Sequence, residues 1–177
     1  MGTLTKIDIK PLYTADMIQN RIKELAEYLN EEYKDEEVYL ICTLKGAVLF
    51  MTDIMRHLKM PVQAEFIRLS SYGSGKISTG KVHAIDINLP DLNNKNVLII
   101  EDIIDTGHTA EFLTNFIKNN FQVKSYKFIA LLDKPSRRVI DINADLVGFQ
   151  VEDKFLVGYG LDYEGYYRNL DYVGYVE

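Results

Sequence analysis

Apolar residues fall along this chain in two kinds of pattern. Short runs at 38–43, 62–69, 97–100 and 125–132 are rich in apolar and β-branched residues, and 97–100 is apolar at every position. A run with no polar face suits a strand covered on both sides in the middle of a parallel sheet. Between these runs the apolar positions recur at helical spacing. Ile18, Ile22, Leu25 and Leu29 follow a candidate N-cap at Thr14, and residues 48, 51, 55 and 58 mark a second helix over 47–58. Ala110, Leu113, Phe116 and Ile117 mark a third, with Asn119 and Asn120 as its stop. Strands alternating with helices predict right-handed crossovers and an α/β fold, a mostly parallel sheet flanked by helices.

From residue 144 the pattern changes. Six of the twelve tyrosines fall between 159 and 175, in short strand-like runs instead of a strand-helix repeat. This tail, with parts of 1–35, reads as a small cap on a core of about 36–143, all within one domain spanning 1–177. A chain of 177 residues buries a sizeable core, and 47% hydrophobic with 26% charged residues is an ordinary globular balance. Cys42, the one cysteine, lies in an apolar run; it excludes an internal disulfide and reads as a small buried hydrophobe in a reducing compartment. No apolar run approaches the roughly 18 residues of a membrane span, and no signal peptide is read, so the expectation is a cytoplasmic protein without a membrane partner. The net charge of −6 argues against a general nucleic-acid surface, which depends on neutralising many phosphates.

The chemistry concentrates just after the run at 97–100. Glu101 and Asp102 follow at the strand's C-terminal end, the edge where open α/β sheets place ligands, and Asp105-Thr106-Gly107-His108-Thr109 turns the chain into the third helix. Gly107 permits a tight bend, the amides of 106–109 can converge on one anion, Thr106 and Thr109 add hydroxyls, and the helix N-terminus adds its dipole. Carboxylates beside an anion site repel the ligand unless Mg²⁺ or sugar hydroxyls stand between, which suggests a ribose bearing a 5′-phosphate. Residues 70–81 hold three glycines and four serines and read as a flexible segment. Residues 75–81 have the spacing G-x-x-x-x-G-K, but Val82 stands where a Ser or Thr would hold Mg²⁺ and a strand pattern follows, which argues against a P-loop.

Two acids ending an apolar strand, then Asp-Thr-Gly-x-Thr, resemble the phosphoribosyl pyrophosphate (PRPP) site of type I phosphoribosyltransferases. Leu44-Lys45-Gly46, Ser71-Tyr72, Asp133-Lys134-Pro135 and the segment 153–162, Asp-Lys-Phe-Leu-Val-Gly-Tyr-Gly-Leu-Asp, extend the resemblance to the hypoxanthine or hypoxanthine-guanine branch over nearly the whole chain. By that resemblance, Glu101, Asp102, Asp105, Thr106, Gly107, His108 and Thr109 would hold the ribose and 5′-phosphate, His108 through its amide. Lys45 and Gly46, after a non-proline cis peptide at Leu44-Lys45, would bind pyrophosphate with Arg168 and with Ser71 and Tyr72 of a mobile lid over 70–81. Lys134 would donate to the purine 6-oxo group, Phe155 would stack on the base, and the backbone of Lys154 and Leu156 would read its edge near Asp162. Glu101 and Asp102 would hold one Mg²⁺ and Asp162 a second on the pyrophosphate side.

The resemblance also implies the type I phosphoribosyltransferase fold, with the cap as a hood, and a homodimer or homotetramer. The implied reaction is purine salvage: PRPP and hypoxanthine, or guanine, give IMP or GMP and pyrophosphate, with Asp105 as general base at purine N7. Two other readings compete. A pyrimidine-type relative doubling as an RNA-binding regulator would want a basic face, and a non-catalytic PRPP sensor would tolerate loss of Asp105 or the lid. Arg137 and Arg138 read as two solvated charges on a surface turn.

Overall fold

The computed structural model describes residues 7–71 and 82–176. Six strands form the main sheet in the order β4-β3-β2-β5-β6-β7, where β2 is Val38–Leu44, β3 Val62–Ser71, β4 Val82–Asp86, β5 Asn96–Ile104, β6 Ser125–Asp133 and β7 Leu146–Gln150. All neighbours pair in parallel except β3 and β4, which are antiparallel. The expected α/β class, a mostly parallel sheet flanked by helices, is what the chain adopts.

Strand alternation divides the apolar residues of the central strands between two cores. Leu98 and Ile100 of β5 face helices α1 (Ala15–Tyr33) and α2 (Val48–Met55), with Ile18, Ile22, Leu25, Leu29, Phe50 and Ile54. Val97 and Ile99 face α3 (His108–Asn120), with Ala110, Leu113 and Ile117. The central sheet is therefore covered on both sides, which explains the unbroken apolar run. Thr14 caps α1, its hydroxyl accepting from Met17 N at 3.3 Å. The second helix is shorter than 47–58 because Asn30 captures the chain beyond it: Nδ2 donates to His57 O at 2.9 Å and Oδ1 accepts from Lys59 N at 2.7 Å. Among the described residues no helix is long and apolar enough to cross a membrane.

A second, antiparallel sheet joins the two ends of the described chain in the order β1-β9-β8, where β1 is Lys10–Tyr13, β8 Phe155–Val157 and β9 Val173–Val176. Leu156, Tyr159 and Val173 from this region share the core of α1 and α2, so the small sheet is seated on that side. Within the tail that begins at 144, β7 extends the main sheet beside β6, and the small sheet resumes at Phe155. Arg21 closes the free edge of β7, donating from Nε to Gly148 O and from Nη2 to Val147 O, each at 2.9 Å. Of the expected lid at 70–81, residues 70 and 71 end β3, while Tyr72 and the rest lie outside the described residues, as does the side chain of Ser71.

Candidate functional site

Strand β5 runs further than the apolar pattern indicates. Its pairing with β2 stops at Cys42↔Ile100, but its pairing with β6 continues to Ile104↔Asp133. Glu101 and Asp102 thus lie inside the strand and not beyond it, on a stretch whose β2 side has opened. Alternation sends them to opposite faces. Glu101 points toward α3, into a cleft of about 220 Å³ that it shares with Asp105, Thr106, Gly107, Thr109 and Phe128. Asp102 points toward the turn after β2, where a Cβ added to Gly46 would stand 1.6 Å from Asp102 Oδ2.

Burial governs the chemistry of both acids. The Glu101 residue is 6% exposed and its Oε2 has no hydrogen-bond partner. Desolvation, with the Asp102 charge adding to it, pushes its carboxyl well above the ordinary range. Desolvation likewise raises Asp102 from 3.8 to about 6, opposed by backbone N–H donors, of which Ile103 N is 2.9 Å away, and by Arg168; Asp162 adds to the rise. Cys42, next to the site but enclosed, is pushed up to about 12, chiefly by burial, so it behaves as the inert hydrophobe expected.

After β5 the chain turns through Asp105 to Gly107. Gly107 caps α3 with φ 93°, in the left-handed region, and a Cβ there would meet Ile140 and Ile142 within 3.1 Å. Glycine is needed on both counts. The turn is braced from outside: Thr106 O accepts from Val139 N at 2.9 Å and from Ile140 N at 3.0 Å.

The reading of Arg138 as a solvated charge is overturned here, while Arg137 is exposed as expected but pairs with two carboxylates. The Arg138 side chain is only 12% exposed; its guanidinium bonds the Asp133 carboxylate and Ile142 O, and its Nε donates to Asp105 O at 3.1 Å. Arg137 Nε lies 3.4 Å from Asp105 Oδ1, and its Nη1 lies 3.6 Å from Asp153 Oδ1. Sequence reasoning missed both because their partners come from the ends of other elements. The short turn Pro135–Arg137, following directly on a buried strand, was the available signal.

Lys134 is 6% exposed, with Nζ donating to Lys154 O at 2.7 Å and 3.7 Å from Asp153 Oδ1. Phe155 follows, 53% exposed, its ring edge-on to Tyr163 at 5.5 Å, while Leu156 is buried. The Lys154 ammonium turns elsewhere, onto the Tyr175 ring at 4.3 Å and toward Glu152 at 3.4 Å, leaving only its backbone at this wall. Arg168 pairs with Asp162 at 2.6 Å and donates to Gly160 O at 2.6 Å, on the Asp102 side. Lys45 stands exposed in the turn between β2 and α2, after a cis Leu44-Lys45 peptide. His108 opens α3, half-buried.

The acid-bearing strand, the amide turn and Lys134 lie at the C-terminal ends of the parallel strands β5 and β6, where Lys134 bonds the segment that leads into Phe155 of the small sheet. The family model described as the phosphoribosyl transferase domain matches residues 12–164. The chain belongs to the phosphoribosyltransferase family.

Relatives place this phosphoribosyltransferase within one branch. It is 44% identical to the hypoxanthine-guanine phosphoribosyltransferase of Bacillus subtilis (strain 168), over 97% of this chain and 95% of that one. A crystal structure of a hypoxanthine-guanine phosphoribosyltransferase from Bacillus anthracis superposes with a TM-score of 0.90 at 40% identity, covering 97% of this chain and 100% of that one. A hypoxanthine phosphoribosyltransferase from Staphylococcus aureus gives a TM-score of 0.89 at 40% identity, covering 95% and 91%.

The acids of this phosphoribosyltransferase suit a divalent cation held partly by substrate. Among the described residues no three His, Cys, Asp or Glu side chains form a metal cage. The desolvated pair Glu101 and Asp102, one with an unpartnered oxygen, matches instead the magnesium pattern of one or two carboxylates completed by phosphate and sugar oxygens.

Proposed function

We propose that this phosphoribosyltransferase is a purine-salvage enzyme: it transfers the 5-phosphoribosyl group from PRPP to N9 of hypoxanthine, and of guanine, forming IMP or GMP and pyrophosphate. One observation carries the reading. Asp105 lines the anion cleft and is also tied, through Arg137 and Asp153, to the wall of Lys134 and Phe155. A carboxylate of the sugar-phosphate cleft is thus linked through Arg137 to the base side, which supports proton transfer to it from a purine bound next to C1′. The relatives' names give the same two bases.

In the reaction, purine N9 bonds to C1′ of PRPP as the C1′–pyrophosphate bond breaks, and the N7 proton passes to Asp105. The amides of 106–109, His108 included, the hydroxyls of Thr106 and Thr109, and the α3 dipole hold the 5′-phosphate. Glu101 and Asp102 accept from the ribose hydroxyls. Lys45, the Gly46 amide and Arg168 stabilise charge growing on the leaving pyrophosphate. Lys134 donates to the 6-oxo group, Phe155 stacks on the ring, and the backbone of Lys154 and Leu156 fixes its edge, with Asp162 alongside. Ser71 and Tyr72, on the lid at 70–81, exclude water. One Mg²⁺ would be held by Glu101 or Asp102 together with substrate oxygens and a second by Asp162 on the pyrophosphate side, and when bound they supply charge neutralisation at the pyrophosphate.

We place the enzyme in the cytoplasm as a homodimer or homotetramer, which sedimentation would distinguish from a monomer. Incubating the protein with PRPP and Mg²⁺ and, separately, hypoxanthine, guanine, xanthine, adenine or uracil tests the reading. IMP and GMP are the expected products; UMP alone, or PRPP binding without any nucleotide, would sink it in favour of the pyrimidine-type or sensor reading.

A further inference from the structure

Behind the turn at 44–46, Asp53 of α2 gathers side chains from three elements. Gln19 Nε2 of α1 and the Tyr159 hydroxyl each donate to Asp53 Oδ2 at 2.6 Å, and Arg56 Nη1 lies 3.7 Å from Oδ1. Tyr159 is 5% exposed, so the donor of this contact is buried while the Asp53 side chain keeps 23% exposure. Burial and the neighbouring Asp53 carboxylate both hold the phenol protonated, as the donor this bond requires. Tyr159 belongs to the turn that follows β8, and the next residue touches the opposite turn. A Cβ on Gly160 would stand 2.0 Å from Gly46 O, so the two backbones meet with no room between them. Gly160 O accepts from Arg168 Nη1 at 2.6 Å, and Arg168 Nη2 is 2.6 Å from Asp162 Oδ1. The small-sheet turn is thus attached to α2 at its side, through Tyr159, and to the turn preceding α2, through Gly160.

We propose that Tyr159 and Asp53 are positioning residues: their hydrogen bond locks the turn after β8 onto α2 and so fixes the gap between the Lys45–Gly46 turn and the Arg168–Asp162 pair. This rests on the reading above, in which those two sides receive the pyrophosphate of PRPP. Neither residue needs to touch substrate. A charge-assisted bond to a carboxylate is short and directional, which suits it to holding two loops in register. Its loss leaves the ring packed and the fold intact but lets the gap vary, and an anion bound by both sides feels that directly.

Three variants separate this role from simple stability. Tyr159→Phe keeps the ring and removes the donor, Asp53→Leu removes the acceptor, and Asp53→Asn keeps an oxygen acceptor. Calorimetry with PRPP and Mg²⁺ should give a dissociation constant raised on the order of tenfold in Tyr159→Phe and Asp53→Leu, with Asp53→Asn near wild type. In steady-state assays the PRPP KM should rise similarly while the hypoxanthine KM and kcat change less than about twofold. Equal rises for both substrates, unaltered PRPP affinity, or loss of affinity in Asp53→Asn as large as in Asp53→Leu would overturn the proposal. Should Tyr159→Phe not fold, the two Asp53 variants still decide. Wild-type protein that forms no nucleotide would defeat the functional reading instead, and the calorimetric comparison would still test the clamp.

Discussion

Two neighbouring acids show how much the surroundings of a residue decide what it does. Asp102 is raised from 3.8 to about 6 because the fold removes its water. A carboxyl whose folded-state value is raised favours the protonated form, so its contribution to stability is fully present below pH 4 and lost as pH rises through 6. In protein freed of divalent metal with chelator, Asp102→Asn should therefore raise the melting free energy relative to wild type at pH 8, on the order of 2 kcal/mol, and have little effect at pH 4. A wild-type to variant difference that is equal at both pH values would remove this account. Asp105 makes the complementary case. Its Oδ1 is buried without a hydrogen bond, Arg137 staying at 3.4 Å, so the atom remains available to a substrate proton. Asp105→Asn should leave the PRPP dissociation constant largely intact and lower kcat with hypoxanthine about 10²-fold or more; unchanged turnover would remove the assigned role.

Among the elements, the turn between β5 and α3 concentrates the most constraint. Gly107→Ala places a methyl in the left-handed region against Ile140, which should cost about 1–3 kcal/mol in thermal unfolding and weaken PRPP binding, since the amides that follow it would shift. The core elements were legible in the sequence because each carries a pattern set by its own neighbours. Apolar runs marked β2, β5 and β6, and helical spacing marked α1 and α3. The misreadings have a common origin in partners distant along the chain. Polar Glu101 and Asp102 looked like a strand's end, yet β6 keeps pairing alongside them. Residues 146–150 carry a glycine and no charge pattern of their own, and only β6 makes them a sheet strand. Arg138 looked like surface because two of its four acceptors, Asp105 O and Ile104 O, lie more than thirty residues back, and the fold alone turns the side chain inward to reach them. The site's acids and turn could be found from local spacing, whereas the arginines bracing them could not.

Across the whole molecule, the site lies where a large sheet and a small one meet, and ligand binding should tighten that junction. PRPP with Mg²⁺ at about 100 times its dissociation constant should stabilise the protein by about 2.7 kcal/mol, which for a chain of this size shifts the melting temperature by roughly 5–10 °C. Adding EDTA should remove most of that shift, and a shift indifferent to EDTA would argue against the metal assignment. The small sheet also imposes an order on biosynthesis. Lys10 of β1 pairs with Tyr175 of β9, so the first of the described strands finds its neighbour only after the last of them has left the ribosome. The strand pairings of the six-stranded sheet all fall within residues 38–150, whereas the core behind it is completed by Leu156, Tyr159 and Val173 from the later segment. Nascent chains should consequently acquire the amide turn of α3 before the aromatic wall at Phe155, and gain the capacity to grip an anion earlier than the capacity to select a base.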